Sequence, residues 1–284
     1  MLKLTKEKLI KNYLLPNSQT IDLRLIKEPF ELDENLNLDY NLLISNNSFI
    51  KKLPKKLHIK GKLEIANTKI INLPNDLKVL GSLDIRNTKI SKLPNGVIIG
   101  ENLSMRGSLI KTLPEKCSIG DNILMSFGQL TEIPKNAKIN GIVKTGFETD
   151  NGGLKYIKTI FKQDIDELNR DNEFDDLKFN QIKESFIFCE NLTIEDSVDL
   201  SRSKISFISD TLNIKDRLII SKNQISLLPN KKIANEVFLR TQKGLINFDA
   251  QSQSEKKVNE NDLEKRVEFL EKEIKRLSQI IEKI

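Results

Sequence analysis

The sequence predicts a mainly β solenoid of short parallel strands, with a helical insertion and a C-terminal coiled-coil helix. Three observations predict it. The first is a period of 20 residues: Leu73-Pro74, Leu93-Pro94, Leu113-Pro114 and Ile133-Pro134 recur at that spacing, with Leu53-Pro54 one period earlier. A fixed period near 20 marks repeats that stack only on their neighbours. The second is alternation inside each period, as in Leu57-His58-Ile59 and Leu63-Glu64-Ile65, which sends every other side chain to one face of a short strand. The third is a heptad pattern near the C-terminus.

Residues 1–35 are expected to cap the stack. Lys6 to Leu15 can form a short helix burying Leu9, Ile10, Tyr13 and Leu14, ended by Pro16. Ile21 to Leu25 alternates and reads as the first strand. Residues 36–146 form the first solenoid block. In it, Leu42 to Pro54 is an imperfect coil. Ser45 falls where Ile65 falls one period later, so a bulge or a one-residue slip is expected.

The coil Leu57 to Asp76 shows the logic. Two strands are separated by the turn Lys60-Gly61-Lys62, where glycine tolerates backbone angles other residues avoid. Asn67-Thr68 makes a second bend. Ile70 and Leu73 point inward from the segment that follows, and Pro74 holds Leu73 extended. Leu57, Ile59, Leu63, Ile65, Ile70 and Leu73 thus face a common core. Leu77, Val79, Leu83, Ile85, Ile90 and Leu93 repeat the set in the next coil, and two more coils follow suit. Each such side chain contributes roughly 1.5–3 kcal/mol when buried, offset by the entropy of ordering the chain.

Leu63-x-Ile65-x-x-Thr68-x-Ile70-x-x-Leu73-Pro74 resembles the leucine-rich repeat pattern L-x-L-x-x-N-x-L-x-x-L-P, most closely the short bacterial and phage type. The resemblance covers roughly residues 40–146 and 190–246. It implies the solenoid and is nearly silent on activity. The family has Asn at the bend. Here Thr68, Thr88, Ser108 and Gly128 hold that position, and Asn223 alone matches it fully. Some effectors of this repeat type carry a catalytic ubiquitin-ligase domain; no residues after the repeats here match one.

Residues 147–190 break the repeat. Asp150-Asn151-Gly152-Gly153 is a loop signal. Leu154, Ile157, Phe161, Ile165 and Leu168 then recur at helical spacing. The segment is expected to pack between two repeat blocks, with a binding surface as the alternative. Residues 191–246 resume the repeat, in coils containing Val198-x-Leu200 and Leu218-x-Ile220. Residues 247–261 read as a polar linker. In 262–284, Val267, Ile274 and Ile281 take heptad a positions, and Leu263, Leu270, Leu277 and Ile284 take d. β-Branched a with Leu at d favours a parallel dimer. Ile280 at g leaves a trimer open.

The chain carries net charge +6, with Lys and Glu both abundant and interspersed in sequence. Nucleic acid is therefore not expected as a partner. No run of 18 apolar residues and no signal-peptide core appears, so membrane and classical secretion are not expected. Cys117 sits at an inward repeat position and Cys189 at a turn; neither implies a disulfide or metal site. His58, the sole histidine, has no nucleophile to serve. Gly141-x-x-x-x-Gly146 has Phe147 where a phosphate loop needs Lys. No catalytic, metal or cofactor residue is assigned, and no enzymatic activity is expected. The expected function is that of a protein-interaction or structural scaffold. Its candidate partner surface is Glu64, Asp84, Arg86 and Arg106, and its helix makes it a homo-oligomer or docks on another virion protein. The Lys-, Asn- and Ile-rich usage resembles phage-encoded chains, implying a virion or assembly component. The alternative is a cytoplasmic effector that inhibits a host protein.

Overall fold

The computed structural model describes residues 1–149, 153–170, 176–180 and 182–248. The heptad residues Leu263, Val267, Leu270, Ile274, Leu277, Ile281 and Ile284 lie outside them. The chain winds into a β-solenoid of about ten turns with few helices. One corner strand of each coil joins a six-stranded parallel sheet running from Asn35–Leu38 through Lys56–Ile59 to Lys138–Ile139. The other joins a ten-stranded sheet running from Thr20–Asp22 to Ile205–Phe207.

The alternating pattern explains the winding. Leu57, Leu63, Ile65 and Ile70 are each 0 % exposed, and the equivalent positions of the next coils are buried alike. Register steps by 20 residues, Leu63 to Leu83 to Leu103 to Ile123. The expected slip in the first coil is present: Leu42 pairs with Leu63, a step of 21, so Ile44 takes the core place and Ser45 bonds the next coil. At the N-terminus, Thr5 caps the helix Lys6–Tyr13 by accepting from Lys8 N, and Leu9 plugs the open end of the apolar column.

The 147–190 segment differs from the helix expected at Leu154. Leu154–Ile160 is a strand, and the helix spans only Lys162–Arg170. The strand turns back on Val143–Glu148 as an antiparallel hairpin. The open edge of the last coil needs a partner. Tyr156, Ile157, Thr159 and Ile160 are the aromatic and β-branched residues that suit a pleated surface. Ile157 and Ile160 still reach the core, which is why their spacing mimics a helix.

The hairpin has a topological consequence. Leu154–Ile160 pairs in parallel with Phe186–Phe188, which pairs in parallel with Ile205–Phe207. One sheet therefore continues across both blocks while its strand polarity reverses at the hairpin. The second block has its own sheet, in which Val198 pairs with Leu218 and Leu218 with Val237. That sheet ends in the hairpin Ala234–Thr241 and Gly244–Asn247.

Candidate interaction surface

The outward positions of the long sheet line up by strand register. Glu64 lies beside Asp84, Asp84 beside Ser104, and Leu124 beside Lys144. The structure thus brings Glu64, Asp84 and Arg86 together on adjacent coils, with Arg106 on the next. Their charges are already matched. Arg86 grips Asp84 with Nη2 at 2.7 Å and Nε at 3.0 Å, and the Arg86 backbone N–H donates to the same carboxylate. This bond to Asp84 is the main cause that raises the Arg86 guanidinium further above its ordinary value. Asp84 is only 4 % exposed, so its partner is what makes its burial tolerable. Lys62 pairs with Glu64. Arg106 reaches the reversing hairpin, donating to Glu148 at 2.9 Å.

The carboxylate-then-guanidinium clamp recurs. Asp22 and Arg24 repeat it two residues apart, and the Arg24 hydrogen bond holds the Asp22 carboxyl below its ordinary value. In the second block Asp199 accepts from Ser201 Oγ at 2.6 Å and from Arg240 Nη2 at 2.6 Å. Asn180 and Arg202 complete a cleft of about 230 Å³ around that pair. Clamped carboxylates of this kind are poor cation ligands, since a metal would have to displace the guanidinium. Among the described residues no three His, Cys, Asp or Glu side chains converge as metal ligands would.

At the bends Thr68 and Thr88 sit as expected, whereas the buried amides lie one residue beyond the expected Gly128 and Asn223. Thr68 and Thr88 donate to Ile65 O and Ile85 O of their own coil, each at 2.7 Å. The longer amides reach the preceding coil instead. Asn47 Nδ2 donates to Leu23 O and Ile26 O, and Gln129 Nε2 to Met105 O and Ser108 O. In the second block the buried amide is Gln224, bonded to Leu200 O at 2.8 Å; Asn223, the expected match, is exposed. In the first block the residue before the buried polar one has a common conformation. Asn46, Asn67, Asn87, Gly107 and Gly128 all take positive φ, which Asn and Gly tolerate best. The legible signal is thus Asn or Gly followed by a buried polar residue.

Cys117 and Cys189 are buried and free. Cys189 precedes the turn but lies in the core, its thiol facing Thr131 O at 3.6 Å. Burial pushes Cys117 up to about 11 and Cys189 up to about 12, which suits packing rather than nucleophilic chemistry. His58 is half-buried on the outward strand face. Among the described residues no helix is long and apolar enough to cross a membrane. No family model, curated protein or solved structure matches this chain.

Proposed function

We propose that the chain is a non-enzymatic protein-interaction scaffold, a leucine-rich-repeat-like solenoid presented in several copies by its C-terminal heptads. The observation that carries this reading is the clamped outward face. Glu64, Asp84 and Arg86 are each held by a partner two residues away on the same coil, and Arg106 by Glu148 of the hairpin. Side chains fixed before contact lose little entropy on binding. Linking several such faces raises avidity without new contacts. The partner class is protein, recognised by the charge pattern of the long sheet, and a phage particle is the setting that composition suggests.

Light scattering on the full chain and on a truncation ending at Ala250 tests the multivalent part. One chain weighs 32.6 kDa. Two or three times that mass, falling to one on truncation, supports the reading. A single-chain mass in both overturns self-association, leaving the helix as a docking segment.

A further inference from the structure

Exposed lysines line one side of the first solenoid block. The third side of the first block includes the irregular segments 48–54, 68–74, 88–94 and 108–114; a fifth, 128–134, carries Glu132 and no lysine. In each of the first four, Ile50, Ile70, Ile90 or Ile110 points inward and is 0 % exposed. Residues beside these isoleucines, and those just before Leu53 and Leu93, face solvent. Those positions carry Lys51, Lys52, Lys69, Lys89, Lys92 and Lys111, all exposed. These four segments contain no Asp or Glu. Among the described residues none of the six lysines has an ion-pair partner. By contrast, Glu64, Asp84, Arg86 and Arg106 of the long sheet are paired. Neighbouring coils are about 5 Å apart, so lysines on adjacent coils lie within about one Debye length of each other at physiological salt.

Apolar side chains stand between them. Phe49 is 38 %, Ile71 53 % and Leu109 55 % exposed. At the N-terminal end a depression of about 480 Å³ has Met1, Pro29 and Phe49 in its wall, with Lys51, Lys52 and Lys69 and one carboxylate, Glu31, beside them.

We propose that this side docks on the surface of an anionic lipid bilayer. A nucleic-acid face would be expected to use arginine forks, backbone N–H donors and stacking rings. These segments hold no arginine, and their apolar tips are mostly aliphatic. A bilayer interface accommodates both kinds of side chain. The ammonium groups meet headgroup phosphates and carboxylates, while Phe49, Ile71 and Leu109 enter the boundary between headgroups and acyl chains. Parallel stacking puts equivalent positions of successive coils side by side, as an extended planar partner requires. In the depression three lysines outnumber the single carboxylate of Glu31, so its net charge still favours an anionic headgroup.

The test is co-sedimentation of the full chain with vesicles of phosphatidylcholine alone or mixed with phosphatidylserine, at low and high salt. The expected result is binding to the anionic vesicles alone, weakened by salt. Reversing three charges on the face (Lys69→Glu, Lys89→Glu, Lys111→Glu) should lower binding at least about tenfold, since each surface lysine contributes on the order of 1 kcal/mol. The control reverses three exposed lysines elsewhere, Lys78→Glu, Lys138→Glu and Lys155→Glu, giving the same net charge. It should bind far better than the face variant, and both variants should match the wild-type thermal unfolding. Ile71→Ser with Leu109→Ser should also weaken binding. Equal loss in the control, equal binding to neutral vesicles, or no binding to either overturns the proposal. So does retention of a short DNA duplex by a chain that ignores anionic vesicles.

Discussion

Gln129 shows what a single side chain does in this fold. Its amide donates to Met105 O and Ser108 O of the preceding coil and accepts from Ser126 N of its own. Gln129→Ala leaves those buried groups without a partner, at an expected cost of about 2–3 kcal/mol. Urea unfolding checks this, and a loss under about 0.5 kcal/mol would mean water replaces the amide. The cysteines bear on alkaline stability. Their folded thiols ionise at about 11 and about 12, against an ordinary value of 9.0. The unfolded chain therefore ionises first. The stabilisation is fully present below pH 9, falls above it, and is lost as pH rises through those folded values. Cys117→Val should flatten the decline between pH 9 and 11 relative to wild type, measured by denaturant melts at each pH. At this scale the sequence was half legible. Cys117 follows from its repeat position, whereas Gln129 and Gln224 do not, because one added residue at a bend moves the buried amide by one place.

Coils meet most closely at the corner glycines. A methyl group built on Gly120 would overlap the carbonyl oxygen of Gly100 in the preceding coil. Both atoms belong to backbone in a stacked ladder, so neither can yield cheaply. Gly120→Ala is expected to cost on the order of 1–3 kcal/mol as overpacking, seen as a lower melting temperature. Gly96 is the contrast: a side chain there meets nothing within 4 Å, and its φ of +79° is one asparagine tolerates. Gly96→Asn should change stability by only a few tenths of a kcal/mol. The reversing hairpin has its own check. Thr145 and Thr159 hydroxyls meet across it at 2.9 Å, both buried. Either Thr→Val change strands the other hydroxyl, costing about 1–3 kcal/mol, while the double change should cost less than the two singles summed. Additive losses would place the two hydroxyls apart. This hairpin was the element least legible beforehand. Spacing at Leu154, Ile157 and Phe161 satisfied a helical template, and only the open strand edge beside it, a tertiary fact, decides for strand.

Across the whole molecule, the repeat legible in Leu-Pro spacing becomes stacked sheets that enclose one apolar column from Leu9 through Ile123 to Leu218. The sequence could not show that both blocks share a sheet, because the link is the polarity reversal between Val143–Glu148 and Leu154–Ile160. Nor could it show charge segregation. Lysines that alternate with acidic residues along the chain separate once every coil returns the same positions to the same side. Candidate residues Glu64, Asp84 and Arg86 were legible as neighbours from the period, but their mutual clamping required the folded register. A scaffold that presents these surfaces at fixed positions must be one continuous stack. Hydrogen exchange read by mass spectrometry on the full chain tests this most directly. The expected result is that residues 143–148 and 154–160 are protected as strongly as the ladders at Leu83, Leu103 and Leu218. Rapid exchange through the hairpin, with each block protected separately, would contradict it and make the chain two independent repeat units on a tether.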